Sequence, residues 1–166
     1  MKKRILSLAL SAAMALTMLP TGAFAASDKG KPPVYNKATG CYEISTPDQL
    51  LYLSGSWRDG APRDGHYVLT ADIDMTGVKG FKPIASKKDQ GFTGTFDGQF
   101  HAIKGLRVEY EKKYAGLFGY VGNQDDQAYI KDVALLDCYV TGQQNVGALA
   151  GVNYGTITGC VVTGEV

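Results

Sequence analysis

Two stretches of this chain, residues 103–108 (IKGLRV) and 130–135 (IKDVAL), carry apolar side chains at the same three positions, i, i+3 and i+5. A flat strand alternates with period two, so i and i+3 would face opposite sides. All three can point inward only where the chain bends between them, and Gly105 and Asp132 occupy that bend. Two further pairs repeat. Residues 114–121 (YAGLFGYV) match 146–153 (VGALAGVN), which sets Leu117 on Leu149 and Gly119 on Gly151. Residues 138–142 (CYVTG) match 160–164 (CVVTG), 22 residues further on. Short bent strands recurring every roughly 20 to 30 residues suit a solenoid, in which stacked coils bury a column that no single coil could bury alone. A β-sandwich is also Gly-rich and all-β, but it has no need of matched bends at matched spacings. The expected fold is therefore all-β, a parallel β-helix. On the third match, Cys138 and Cys160 should stack as neighbouring rungs about 4.8 Å apart, both inward and unbonded.

The chain begins with a basic segment, Met1-Lys2-Lys3-Arg4, followed by an apolar run and the small-x-small site Ala23-Phe24-Ala25. That reads as a secretory signal peptide over residues 1–25. Removing Lys2, Lys3 and Arg4 takes the formal charge from +1 to −2, so nothing suggests nucleic acid. No second long apolar run follows, so no membrane span is expected in the mature chain. Three cysteines, none in a CxxC, indicate neither a disulfide framework nor a zinc or redox motif.

Residues 26–41 read as a linker and mature N-terminus. A helix signal follows: Thr46 can cap, Pro47 suits the first turn, and Gln49 completes a capping box. One short helix is expected over residues 47–54. Lying just ahead of the first coil strand, it should cap the solenoid, with Leu50 and Leu53 buried against Leu69 and Ile73. The stretch 67–75 (YVLTADIDM) alternates as a half-buried strand, broken near Thr70.

The C-terminal stretch carries Gly147-Ala148-Leu149-Ala150-Gly151, then Asn153-x-Gly155-x-Ile157, Cys160 and Thr163-Gly164. It closely resembles the GLUG-motif repeat of exported bacterial surface proteins, and residues 115–121 resemble a degenerate copy. The run from Tyr67 to Val108 is similar to the segment that commonly precedes these repeats. The departures are Ala85, where the family often has Gly, and Gln99-Phe100 in FDGQFH, where it often has Asn-Gly. The resemblance implies a right-handed β-helix over residues 42–166, with repeats at 114–142 and 145–166, on a secreted or cell-surface, adhesin-like protein. Some relatives join the repeats to a zinc peptidase domain, but no HExxH occurs here.

The chemistry is sparse. Asp72 and Asp74 are two apart on a strand, which sets their carboxylates about 6.5 to 7 Å apart on one face. That suits an inverting glycosidase pair, and Asp97 could stack beside them, with Lys104 and Arg107 completing the group. The bland alternative is a solvated face and a turn aspartate. The same carboxylates could hold Ca²⁺, but no D-x-D-x-D loop exists. His66 and His101 lack partners at zinc-ligand spacing. Tyr110, Tyr114, Tyr120, Tyr129, Tyr139 and Tyr154 recur near turns; they either stack on sugars or proteins, or cover the solenoid flanks.

The reading is a secreted or cell-surface, non-catalytic module, adhesin-like or structural. Its catalytic, cofactor and metal sites are expected to be none, and its partners to be carbohydrates or surface proteins. The alternatives are a polysaccharide lyase or glycosidase on a β-helix, and the repeat region of a larger surface protein such as a peptidase. Because the run reaches Val166 without a polar cap, the last coil is expected to be incomplete and to self-associate through its open edge.

Overall fold

The computed structural model describes residues 30–55 and 61–166; the leader at 1–25 lies outside the described residues. The chain opens with a hairpin of β1 (Val34–Asn36) and β2 (Cys41–Ile44), paired antiparallel. This hairpin occupies much of what reads as linker. It forms because the Asn36 side chain accepts from the backbone N–H groups of Ala38 and Thr39, closing the turn. Helix α1 (Pro47–Leu53) follows, capped by a reciprocal box. Gln49 N–H donates to Thr46 Oγ1 at 3.3 Å, and Gln49 Oε1 accepts from Thr46 N at 3.2 Å.

After α1 the described residues are strands and corners, with one 3-10 turn at Lys88–Gln90. In order come β3 (His66–Leu69), β4 (Ile73–Asp74), β5 (Thr95–Asp97), β6 (Ala102–Lys104), β7 (Arg107–Ala115) and β8 (Phe118–Val121). Then follow β9 (Tyr129–Lys131), β10 (Ala134–Val146), β11 (Ala150–Asn153), β12 (Thr156–Thr158) and β13 (Val161–Glu165). They stack in parallel into three sheets, β2-β3-β5-β9-β12, β4-β6-β10-β13 with β7 also on β10, and β8-β11. The result is a β-solenoid of about three turns. The strand at 67–75 is broken at Thr70–Asp72 as its sequence implies, but β3 and β4 belong to different sheets.

The inside is a set of ladders. In the first sheet Tyr42, Tyr67, Phe96, Ile130 and Ile157 lie opposite one another in turn. The Tyr42 and Tyr67 rings stack at 5.2 Å, and Phe118 packs against both Phe92 and Phe96. Tyr67 and Phe96 are fully buried, and each such ring contributes about 1.5–3 kcal/mol of apolar burial. The Leu117–Leu149 and Gly119–Gly151 match is the observed register, because Phe118 pairs with Ala150.

Both bends inferred from the sequence are real, Gly105 and Asp132 taking φ of +66° and +54°, but the stretches that carry them are not equivalent rungs: Ile103 pairs with Leu135 in the second sheet, and Ile130 with Phe96 and Ile157 in the first. The same corner recurs at Asp137 (+52°) and Gly159 (+61°). It reads apolar-x-left-handed-apolar-x-apolar, and the coil of β9 and β10 uses it twice, at Asp132 and Asp137. That recurrence corrects the cysteine alignment. Cys138 follows the Asp137 corner and lies opposite Gly164, whereas Cys160 follows the Gly159 corner at the level of Val133. The matched pentapeptides are successive corners, not equivalent rungs. True rung spacings in the first sheet are 29 residues from Tyr67 to Phe96, 34 from Phe96 to Ile130, and 27 from Ile130 to Ile157.

All three cysteines are free; Cys138 is buried and Cys160 packs partly against the core. Burial pushes both thiols above their ordinary pKa, which lowers the thiolate fraction. Non-reducing mass spectrometry should find no Cys138–Cys160 crosslink, and an alkylating agent at pH 8 should modify Cys138 slowest. A Cys138–Cys160 crosslinked peptide would contradict the register.

Candidate functional site

Asp72 sits on the corner between β3 and β4. Its Oδ1 accepts from Ala102 N and lies 3.0 Å from His101 Nδ1. The Ala102 bond, then His101, holds the carboxyl below its usual range. Asp74, on β4, accepts from Thr76 N at 2.9 Å. The Thr76 hydroxyl and N–H lower its pKa too. Asp97 lies in the other sheet, on β5, opposite Lys131. Its Oδ1 accepts from Gln99 N at 2.9 Å and its Oδ2 takes the Lys131 ammonium at 2.8 Å.

Asp72 and Asp74 lie toward the second sheet and Asp97 in the first, and each closes a turn or pairs with a neighbouring coil. A glycosidase needs one carboxyl raised and one ionised; Asp72 and Asp74 are shifted the same way. Their turn-closing contribution is present above the ordinary carboxylate range and is lost as pH falls through the lowered values. Lys104 lies opposite Asp74, but Arg107 belongs to β7, where it covers the Tyr139 ring at 4.2 Å and binds Glu109 at 2.8 Å. Among the described residues no three His, Cys, Asp or Glu side chains converge as metal ligands. His66 is an exposed residue of β3, and His101 is the corner partner of Asp72.

The tyrosines differ in exposure and packing. Tyr120 is buried outside the main core, edge-on to Tyr114 at 5.5 Å and stacked on Tyr154 at 5.6 Å. Burial first, then the Tyr154 hydroxyl, raises its pKa. Tyr110 packs on the core and Tyr139 lies under Arg107. Tyr129 and Tyr154 are about half exposed.

Three comparisons place this geometry among known proteins. No family model matches the chain. It is 34% identical over 143 residues to "Halomucin" of Haloquadratum walsbyi, covering 77% of this chain and 2% of that one. It is 33% identical over 101 residues to a "Putative Gly-rich membrane protein" of Evansella cellulosilytica, covering 55% of this chain and 11% of that one. The chain thus spans a small fraction of the length of the curated relatives it matches. A solved structure from Bacteroides ovatus, described as a "putative immunoglobulin A1 protease", superposes with a TM-score of 0.58. That likeness, at 21% identity, covers 75% of this chain and 38% of the other, and it shows the fold alone.

Sequence reasoning missed what the corners carry. Between Val121 and Tyr129 the chain takes eight steps, where the next coil takes three from Asn153 to Thr156. The extra residues wall a cleft of about 410 Å³ lined by Arg63, Asp64, Thr93, Asp125, Asp126 and Gln127. The signal was present as a local change in repeat length, since insertions in a solenoid map to its outer loops. The second missed feature is the turn at 97–101, which raises Phe100 into solvent at 82% exposure.

Proposed function

We propose that this chain is a non-catalytic module of an exported, cell-surface protein, adhesin-like or structural, built as a right-handed β-helix of the GLUG-repeat kind. The observation that carries the reading is the match itself: most of this chain corresponds to a very small part of a far longer protein. A stackable block fits that arrangement, because each coil needs only its neighbours. The relative named a membrane protein and the leader-like residues 1–25 support an exported location. The committed carboxylates support a structural rather than a chemical use of the acidic side chains.

Within this reading α1 is the N-terminal cap. It falls between β2, a rung of the first sheet, and Gly55, which bridges to Ile84 on the third face. It thus takes the place of a second-sheet rung in the first coil, where β4 is the edge strand. At the other end β12 and β13 offer an edge, with Val161 and Val162 exposed, for a further coil or a second copy. A second reading, a coil block joined to a peptidase, draws only on the name of the structural neighbour.

The test has two arms. Protease shaving of intact expressing cells should release peptides of residues 30–166, and the mature N-terminus should be Ala26. The purified chain should turn over no plant, host or bacterial polysaccharide. A turnover signal abolished by Asp72→Asn with Asp74→Asn, or a protein found only inside intact cells, would overturn the proposal.

A further inference from the structure

The coil that carries β5 crosses from the first sheet to the second in an unusual way. From Asp97 to Ala102 it takes five steps; the equivalent crossings, Lys131 to Ala134 and Thr158 to Val161, take three. The two additional residues make a turn whose tip, Gln99 and Phe100, has φ of +47° and +63°. Side chains disfavour that region of backbone space. Phe100 is also 82% exposed, the most of any large apolar side chain among the described residues. The fold requires neither the two additional residues nor the exposure, since two other coils turn the same corner through a single left-handed residue, Asp132 or Gly159.

The turn is held on every side. Gly98 N donates to Lys131 O, Gln99 N to Asp97 Oδ1, Phe100 N to Asp132 O, His101 N to Gly98 O, and Ala102 N to Asp72 Oδ1. All five consecutive backbone donors are satisfied, so the ring stands on a rigid base. A rigid aromatic loses little freedom on binding, which is what an interface anchor needs.

We propose that Phe100 is the anchor of a protein-docking site, inserted into an apolar socket of a partner protein. This rests on the surface-module reading for the expectation of an external partner. The choice of partner class follows from what surrounds the ring. A saccharide would need several free polar groups converging beside the ring; both Asp97 oxygens and Asp72 Oδ1 are engaged, which leaves Asp72 Oδ2 and the Gln99 amide. A membrane surface would need an excess of cations, whereas Asp72, Asp97 and Asp132 flank the turn, with Lys131 set against Asp97 and His101 against Asp72. The same acidic surround indicates a socket rimmed by Lys or Arg.

A phage-displayed random peptide library panned on the whole chain tests this. Enriched peptides should combine apolar side chains with Lys or Arg. Phe100→Asn should weaken them at least about thirty-fold, while Phe100→Leu keeps measurable binding. Asn tolerates positive φ, so the melting temperature of Phe100→Asn should stay level or rise, which separates lost binding from lost fold. Absence of enrichment, or peptides indifferent to Phe100→Asn, would overturn the proposal. Phe100-dependent binding to phosphatidylglycerol vesicles or to a glycan array, instead of peptides, would overturn the partner class. Surface exposure and polysaccharide turnover do not involve Phe100, so failure here leaves the module reading intact, and the reverse.

Discussion

Leu53→Asp is expected to destabilise the whole solenoid by about 4 kcal/mol and to drive it into aggregates. Leu53 is 3% exposed and Leu50 fully buried, both within the one core that runs the length of the described coils. Burying a carboxylate among these core residues carries a large desolvation cost. The larger effect follows from position. On the proposed capping role, lifting α1 away would open the N-terminal end of the stack, where β4 is the edge strand of the second sheet. Scanning calorimetry and light scattering measure both consequences. A monodisperse variant with an unchanged transition would show that the helix is peripheral.

Gly94→Ala should cost about 2–3 kcal/mol and lower the melting temperature by roughly 8 °C. Gly94 immediately precedes β5 and belongs to a column with Gly65, Ala128 and Gly155. The rungs hydrogen-bond through this column: Thr95 N to Gly65 O, Tyr129 N to Gly94 O, and Thr156 N to Ala128 O. A methyl group on Gly94 would meet the Gly65 carbonyl oxygen and come within 2.8 Å of the Asp64 carbonyl carbon. Those are backbone atoms of the coil below, with no flexible side chain to give way. The methyl of Ala128 is accommodated one coil later, after the inserted loop at 122–127. A melting temperature for Gly94→Ala within a degree or two of wild type would mean that the two coils can part without cost.

What the sequence made legible was local. The capping box of α1 depends on residues three apart, and Thr46 and Gln49 announce it. The bends at Gly105 and Asp132 follow from apolar spacing within six residues. Register is a different matter. A corner motif shared by different corners makes successive corners look like successive repeats, which is why the CYVTG and CVVTG match spans 22 residues where Ile130 and Ile157 lie 27 apart. The candidate site failed for a related reason. The partners of Asp72 and Asp97 are His101, Ala102 and Lys131, about thirty residues away, and only the stacking of coils brings them near. Nothing local marks Phe100 as exposed, since a lone Phe in a turn is equally compatible with burial. The hairpin at the start was overlooked because a three-residue strand has too short a pattern to stand out.

The stacking described above also fixes how such a block would behave under load. Its coils are joined side to side by main-chain hydrogen bonds that lie along the stacking axis, so a pull in that direction peels one rung layer from the next. Force is then borne by a single coil boundary at a time. Each release of 27 to 34 residues would pay out roughly 90 to 115 Å of chain. A string of such coils on a cell surface would lengthen in steps under shear, as an extensible tether does, while the coils still stacked keep their outer corners in place.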